Sequence, residues 1–204
     1  AQRALTDFEF FRLRYFGHVS TPWQVDAANR MVAYLESEEK EFVVVNVPPG
    51  AGKSTTFTHD IPAWVLVRNR GARVLIGSRT ERQARQYVGR LKTTFERSHP
   101  PTASDELKKK GLAVDAVTTL TADFGRFKPT NPDVWRMEEF TVAQVNDIAG
   151  SDKERTVSAF GMNFFEWFAM RGGMVAENKA TCRFSGSSAI IVSMSSINPN
   201  ASIS

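Results

Sequence analysis

The sequence predicts an α/β fold in which a mainly parallel central sheet is flanked by helices on both faces, giving three layers. Two hydrophobic runs, at 42–47 and 74–77, are typical of strands that are buried on both faces of a parallel sheet. Each run is followed by a segment that can form a helix, and the clearest of these is 80–97. Strand and helix therefore alternate, which favours right-handed crossover connections.

The helix at 80–97 is predicted from a single apolar stripe among charged and polar positions, formed by Ala84, Val88, Leu91 and Phe95. A shorter amphipathic helix is predicted at 5–16, ending at Gly17. Thr21 and Pro22 suit the N-cap and the first position of a second helix. Pro62 is expected to end or kink the helix in which it lies, because proline lacks the backbone N–H.

The chain is interpreted as one domain at 1–192, built from a helical lead-in (1–40), a core (41–97) and a less regular part (98–163). Within that last part, 100–132 is predicted to be a long surface excursion. The segments 140–142 and 156–160 are predicted to form a hairpin around a turn at 150–152.

Composition excludes several classes of protein. Of 204 residues, 42% are hydrophobic and 24% charged, which is typical of a soluble globular chain. No apolar run approaches the roughly 20 residues that span a bilayer, so we expect no membrane association. Cys182 is the only cysteine, so no internal disulfide can form and a reducing compartment fits. The three histidines show no ligand spacing, which argues against a structural zinc site.

The motif that carries chemistry is a glycine loop after the first strand, with the sequence Pro49-Gly50-Ala51-Gly52-Lys53-Ser54-Thr55. Small residues let backbone N–H groups wrap around phosphate oxygens, and a helix that starts there adds the positive end of its dipole. Lys53 can reach the β- and γ-phosphates, and the Ser54 hydroxyl can bind Mg²⁺. The pattern departs from the usual P-loop only at Val47, where glycine is usual. The sequence therefore predicts a P-loop site for ATP and Mg²⁺.

Three segments in order resemble the ATPase half of the large terminase subunit of tailed phages: 21–24 (Thr-Pro-Trp-Gln), 47–54 (Val-Pro-Pro-Gly-Ala-Gly-Lys-Ser) and 74–80 (Val-Leu-Ile-Gly-Ser-Arg-Thr). The likeness covers roughly 10–163. It implies a motor that uses ATP hydrolysis to drive duplex DNA into a capsid in the cytoplasm of an infected bacterium. It also implies a homo-oligomeric ring, a portal protein and a small terminase subunit as partners. We do not expect the nuclease half of that family within these 204 residues.

The resemblance also suggests roles for two residues outside the loop. Gln24 matches the glutamine that hydrogen-bonds the adenine edge, a task that suits an amide because it has both a donor and an acceptor. Arg79 follows the strand at 74–77, where parallel sheets present their ligand-facing loops, so it is a candidate to sense the γ-phosphate or to contact DNA. Arg82 is the next candidate, and a solvated arginine is the ordinary alternative for both.

Hydrolysis also needs an acidic pair at the end of a neighbouring strand, and the sequence does not provide a clear one. A strand is predicted at 189–192, but Ser193 and Met194 stand where the acids belong. Glu177 and Asp115 are poorer candidates. Since no residue after Arg183 is charged, we expect a non-native tail at 193–204 and an incomplete domain that binds ATP with little or no hydrolysis.

A basic stretch at 68–110 contains twelve Lys or Arg and four Asp or Glu, which leaves a charge of about +8. Such a surface attracts a polyanion and is the candidate contact for the DNA backbone, although a solvated helix face would look the same.

Two other functions stay open: a helicase or translocase of similar architecture, and a degenerate module that binds nucleotide or DNA without hydrolysis.

Overall fold

The computed structural model describes residues 1–36, 50–78, 80–99, 118–130, 134–144, 155–161 and 191–195. These residues form a mixed α/β structure in which helices pack on a small mixed sheet. The strand predicted at 42–47 lies outside the described residues. So do Pro49, Arg79, Asp115 and Glu177.

The N-terminal lead-in contains three helices: α1 (Gln2–Thr6), α2 (Phe8–Phe16) and α3 (Pro22–Glu36). The single helix predicted at 5–16 is in fact divided at Asp7, because the Asp7 carboxylate accepts a hydrogen bond from the Phe10 N–H at 2.9 Å and so caps α2. Gly17 ends α2 as predicted, in the left-handed conformation with φ of 68°.

A continuous helical run follows the glycine loop and consists of α4 (Lys53–Thr55), a π-helical turn (Thr56–Asp60) and α5 (Ile61–Arg68). The helix does not end at Pro62. Instead the widened turn lies just before it, which accommodates a residue that cannot donate to the preceding turn. Every residue of α5 before Arg68 is buried, and the Trp64 indole N–H donates to the Ala4 carbonyl at 2.8 Å. This bond joins α5 to α1.

The sheet has four described strands: β1 (Arg73–Ser78), β2 (Glu139–Phe140), β3 (Val157–Gly161) and β4 (Ile191–Ser195), in the order β2-β3-β1-β4. β1 and β3 are parallel, whereas β2 is antiparallel to β3 and β4 is antiparallel to β1. Among these strands the prediction of a mainly parallel sheet is therefore wrong, and the sheet is mixed. The pairing predicted between the arms of the hairpin is confirmed by the Phe140–Val157 register.

Helix α6 (Glu81–Glu96) confirms the clearest prediction of the sequence. The Thr80 hydroxyl accepts from the Gln83 N–H at 3.3 Å and caps the helix. The four residues of the predicted stripe are all buried. The carboxyl end of β3 lies directly against this helix start, because a Cβ added to Gly161 would be 2.8 Å from the Glu81 nitrogen.

Part of the predicted surface excursion instead belongs to the core. Helix α7 (Leu120–Phe124) buries Leu120, and Phe127 just beyond it is fully buried. The rings of Phe127 and Phe95 lie 4.6 Å apart between centroids. Isolated aromatic residues in a polar segment gave no periodic signal, so their burial against α6 could not be read from the sequence.

Candidate phosphate-binding loop

The backbone of the glycine loop is shaped for close approach by a ligand. Gly50 and Gly52 have φ of 82° and 79°, a left-handed conformation that side chains rarely adopt. A Cβ added to Gly50 would meet none of the described residues within 4 Å, so these residues leave open space beside the loop. Gly52 is the N-cap of α4 without a side-chain cap, which leaves the first N–H groups of the helix for an external acceptor.

The first helical turn presents the chemistry that the sequence predicted. Lys53 and Ser54 are half-buried and Thr55 is exposed. The Ser54 carbonyl accepts from the Thr58 hydroxyl at 2.6 Å, which adds a side-chain bond within the helical run. In the described part of the chain no group of three or more His, Cys, Asp or Glu could hold a metal ion.

Gln24 lies directly against the loop. Its amide Nε2 donates to the Thr56 hydroxyl at 3.2 Å and to the Ala51 carbonyl at 3.4 Å. Its Oε1 accepts from the Thr21 N–H at 3.0 Å, which is one half of a capping box at the start of α3. The spacing Thr-x-x-Gln is a recognised signal for that cap, and sequence reasoning could have found it.

A buried ion pair beneath the loop was missed by sequence reasoning. The Arg12 Nε donates to Asp60 Oδ2 at 2.7 Å, and both side chains are almost completely buried. The Arg12 Nη1 donates to Gln24 Oε1 at 2.8 Å and to the Ser20 hydroxyl at 3.0 Å. Arg12 thus links α2 to the start of α3 and to the π-helical turn. The ion-pair partners are 48 residues apart, and no local pattern marks them.

Two histidines complete the surroundings of Asp60. The His18 Nδ1 lies 3.2 Å from each carboxylate oxygen, and the His59 Nδ1 lies 2.7 Å from Oδ1. The His59 Nε2 lies 2.7 Å from the Thr94 hydroxyl, which extends the network to α6. Burial alone would raise the pKa of Asp60, but hydrogen bonds from His18 and His59 outweigh it and hold that pKa well below the usual range. Asp60 is therefore ionised and structural.

The direction and register of β4 determine where acids at positions 193 and 194 would lie. Ser193 and Met194 lie within the strand, opposite Leu75 and Val74 of β1, and not beyond its end as the sequence suggested. Because β4 is antiparallel to β1, its carboxyl end lies beside Arg73, at the amino end of β1. Acids at these two positions would therefore lie within β4, toward the amino end of β1, and not at the end of a strand as the sequence analysis required.

Comparison with protein-family models, with curated proteins and with solved structures finds no match to this chain. In the part of the chain that the structure describes, no helix is long and apolar enough to cross a membrane.

The basic stretch is less uniform than its sequence suggests. Arg70 is buried and donates to three backbone carbonyls, those of Phe124, Arg126 and Ala143, at 2.5–2.9 Å. Its guanidinium also lies 4.2 Å from the centre of the Phe127 ring. Arg70 therefore stabilises the core and contributes nothing to a surface for polyanions.

On α6 the exposed arginines are Arg82, Arg85 and Arg90. Arg85 forms an ion pair with Glu81 at 2.6 Å, so the outward face of this helix carries less net charge than its arginine count. Residues 108–110 of the basic stretch lie outside the described residues.

Proposed function

We propose that this chain binds the triphosphate of ATP, with Mg²⁺, at the glycine loop 49–55. The observation that carries the proposal is the left-handed, sterically open backbone at Gly50 together with Gly52, which leads directly into the helical run that begins at Lys53. Backbone N–H groups that converge at such a helix start bind phosphate oxygens, and the helix dipole adds a favourable potential.

Each residue of the loop has a chemical role in this proposal. Gly50, Ala51 and Gly52 let the backbone follow the phosphate chain, and Pro49 precedes the turn. Lys53 neutralises the β- and γ-phosphates, and the Ser54 hydroxyl completes the coordination of Mg²⁺. Thr55 continues the helix at the exposed edge of the loop.

The wider role we propose is that of the ATPase module in a phage DNA-packaging motor. Its support is the ordered set of motifs at 21–24, 47–54 and 74–80. In that role Arg79 would sense the γ-phosphate, and the arginines of α6 would contact the backbone of duplex DNA. The partners would be further copies of the chain in a ring, a portal protein and a small terminase subunit, in the cytoplasm of an infected bacterium.

A second candidate is a module that binds nucleotide without hydrolysing it. The observation that favours it is the antiparallel direction of β4, which places Ser193 and Met194 away from the carboxyl end of β1. A helicase or translocase is a third reading, and unwinding of a duplex with a single-stranded tail would distinguish it from a packaging motor.

Calorimetric titration of Mg·ATP into the protein, with phosphate release measured on the same samples, tests the proposal. Lys53→Ala should weaken binding by at least about tenfold, because it removes the one side-chain cation of the loop. Lys128→Ala is the matched control, since Lys128 forms a surface ion pair with Glu96 at 3.5 Å and should leave the affinity unchanged. Equal affinities for the wild type and Lys53→Ala would refute the proposal.

A further inference from the structure

The amide of Gln24 is fully engaged within the protein. Only 5% of the residue is exposed, and its oxygen already accepts two hydrogen bonds, from Arg12 and from the Thr21 backbone. Its nitrogen donates to Ala51 and Thr56. An amide has two acceptor sites and two donor hydrogens, so this arrangement accounts for all four.

Arg12 fixes which way the amide points. A guanidinium can only donate, so the atom that faces it at 2.8 Å is the Gln24 oxygen, and the nitrogen must face the loop. Arg12 is itself held by Asp60 at 2.7 Å and by Ser20 at 3.0 Å. The orientation of the Gln24 amide is therefore set by the buried guanidinium of Arg12 and does not depend on a ligand.

The contact between Gln24 and the loop is tight. A Cβ added to Gly52 would lie 3.0 Å from the Gln24 Nε2, so the left-handed backbone of Gly52 and the amide are packed against each other. The hydrogen bonds to Ala51 and Thr56 reach both sides of the turn at Gly52. Together these contacts hold the backbone in place on both sides of Gly52.

We infer that Gln24 is a positioning residue for the phosphate loop, locked by Arg12, and that it does not read the base of a bound nucleoside triphosphate. The inference rests on the proposed function. To read a base edge, the amide would have to give up its bonds to Arg12 or to the loop, and a buried guanidinium or carbonyl would lose its partner. This reading replaces the adenine contact that the resemblance implied for Gln24.

The first test uses Gln24→Met, which keeps the length of the side chain and removes its hydrogen bonds, with the exposed Gln86→Met as the control. Affinities are measured for Mg·ATP, Mg·GTP and magnesium tripolyphosphate, which has no base. We expect Gln24→Met to weaken all three by the same factor, about tenfold for the two lost loop bonds. Weaker ATP binding with unchanged tripolyphosphate binding would overturn the inference.

The second test needs no ligand and remains informative if Gln24→Met does not fold. Gln24→Glu keeps two acceptor oxygens for Arg12 and Thr21 but loses the donor to the loop. Amide hydrogen exchange of the unliganded protein should become faster at Thr56, whose N–H donates to the Gly52 carbonyl at 3.0 Å, while exchange in α6 stays unchanged. Unchanged exchange at Thr56 would overturn the positioning role. A wild type that binds none of the three ligands would refute the proposed function, and the exchange result would still decide the role of Gln24.

Discussion

Asp60→Asn is the substitution whose effect on stability follows most directly from the structure. Asp60 is completely buried, and its carboxylate lies within 2.7 Å of the Arg12 guanidinium and of the His59 ring. Asparagine has nearly the same shape but is neutral, so Arg12 would remain buried without a counter-charge. The side-chain nitrogen of asparagine would also face a donor that the carboxylate now accepts from.

Removing one partner of a buried ion pair costs about 3–5 kcal/mol, because the remaining charge is desolvated and unpaired. Since domains are stable by only about 5–15 kcal/mol, this loss would be a large share of the free energy of unfolding. Asp26→Asn is the matched control. Asp26 and its partner Arg30 are 61% and 68% exposed, so we expect that change to cost no more than about 1 kcal/mol.

Urea denaturation followed by far-ultraviolet circular dichroism measures both losses, with the slope of the transition checked for a change in the denatured state. We expect the midpoint for Asp60→Asn to fall well below that for Asp26→Asn. A loss below about 1 kcal/mol for Asp60→Asn would refute the view that this ion pair holds α2 against the π-helical turn.

Three further predictions follow from the same geometry. The pKa of Asp60 is lower in the folded protein than in the unfolded one, so stability should be complete above about pH 4 and should fall as the pH drops further, with a weaker dependence in Asp60→Asn when acid unfolding is followed. Gly52→Ala should weaken Mg·ATP binding more than Gly50→Ala in calorimetry, because both strain a left-handed backbone but only the new Cβ at 52 meets Gln24, at 3.0 Å. Ser193→Asp combined with Met194→Glu should release no additional phosphate from ATP, because β4 runs antiparallel to β1, and a clear gain in turnover would show that the pair reaches the loop.

The sequence predicted those elements whose signals are local. The bounds of α6 are within a residue of the prediction because the apolar stripe and the Thr80 cap are both contained in that segment. The end of α2 at Gly17 was also predicted correctly, because a glycine that follows a helical segment is a local signal. The division of the first helix at Asp7 could also have been predicted, because an aspartate that caps a helix is a local signal. The hydrophobic pattern on both sides of Asp7 obscured that signal.

Features that depend on distant segments could not be predicted in this way. The direction of β4 depends on how the chain returns to β1, and an isolated hydrophobic run carries no information about direction. The network at Asp60 joins residues from four elements, including Thr94 on α6. For the candidate site, the loop and the neighbouring Gln24 were identified from the sequence, whereas the buried charges that hold Gln24 in place were not.

The π-helical turn at Thr56–Asp60 determines how α5 is oriented relative to the glycine loop. Thr56 at its start contacts Gln24 of α3, and Asp60 at its end contacts Arg12 of α2. Winding the same residues as a regular α-helix, with none deleted, would rotate everything after the turn by about one residue's angle, roughly 100°, relative to the loop. Trp64 would then no longer face the Ala4 carbonyl of α1. Because of this irregular turn, one helical run can begin at the glycine loop and also bury its later residues in the core.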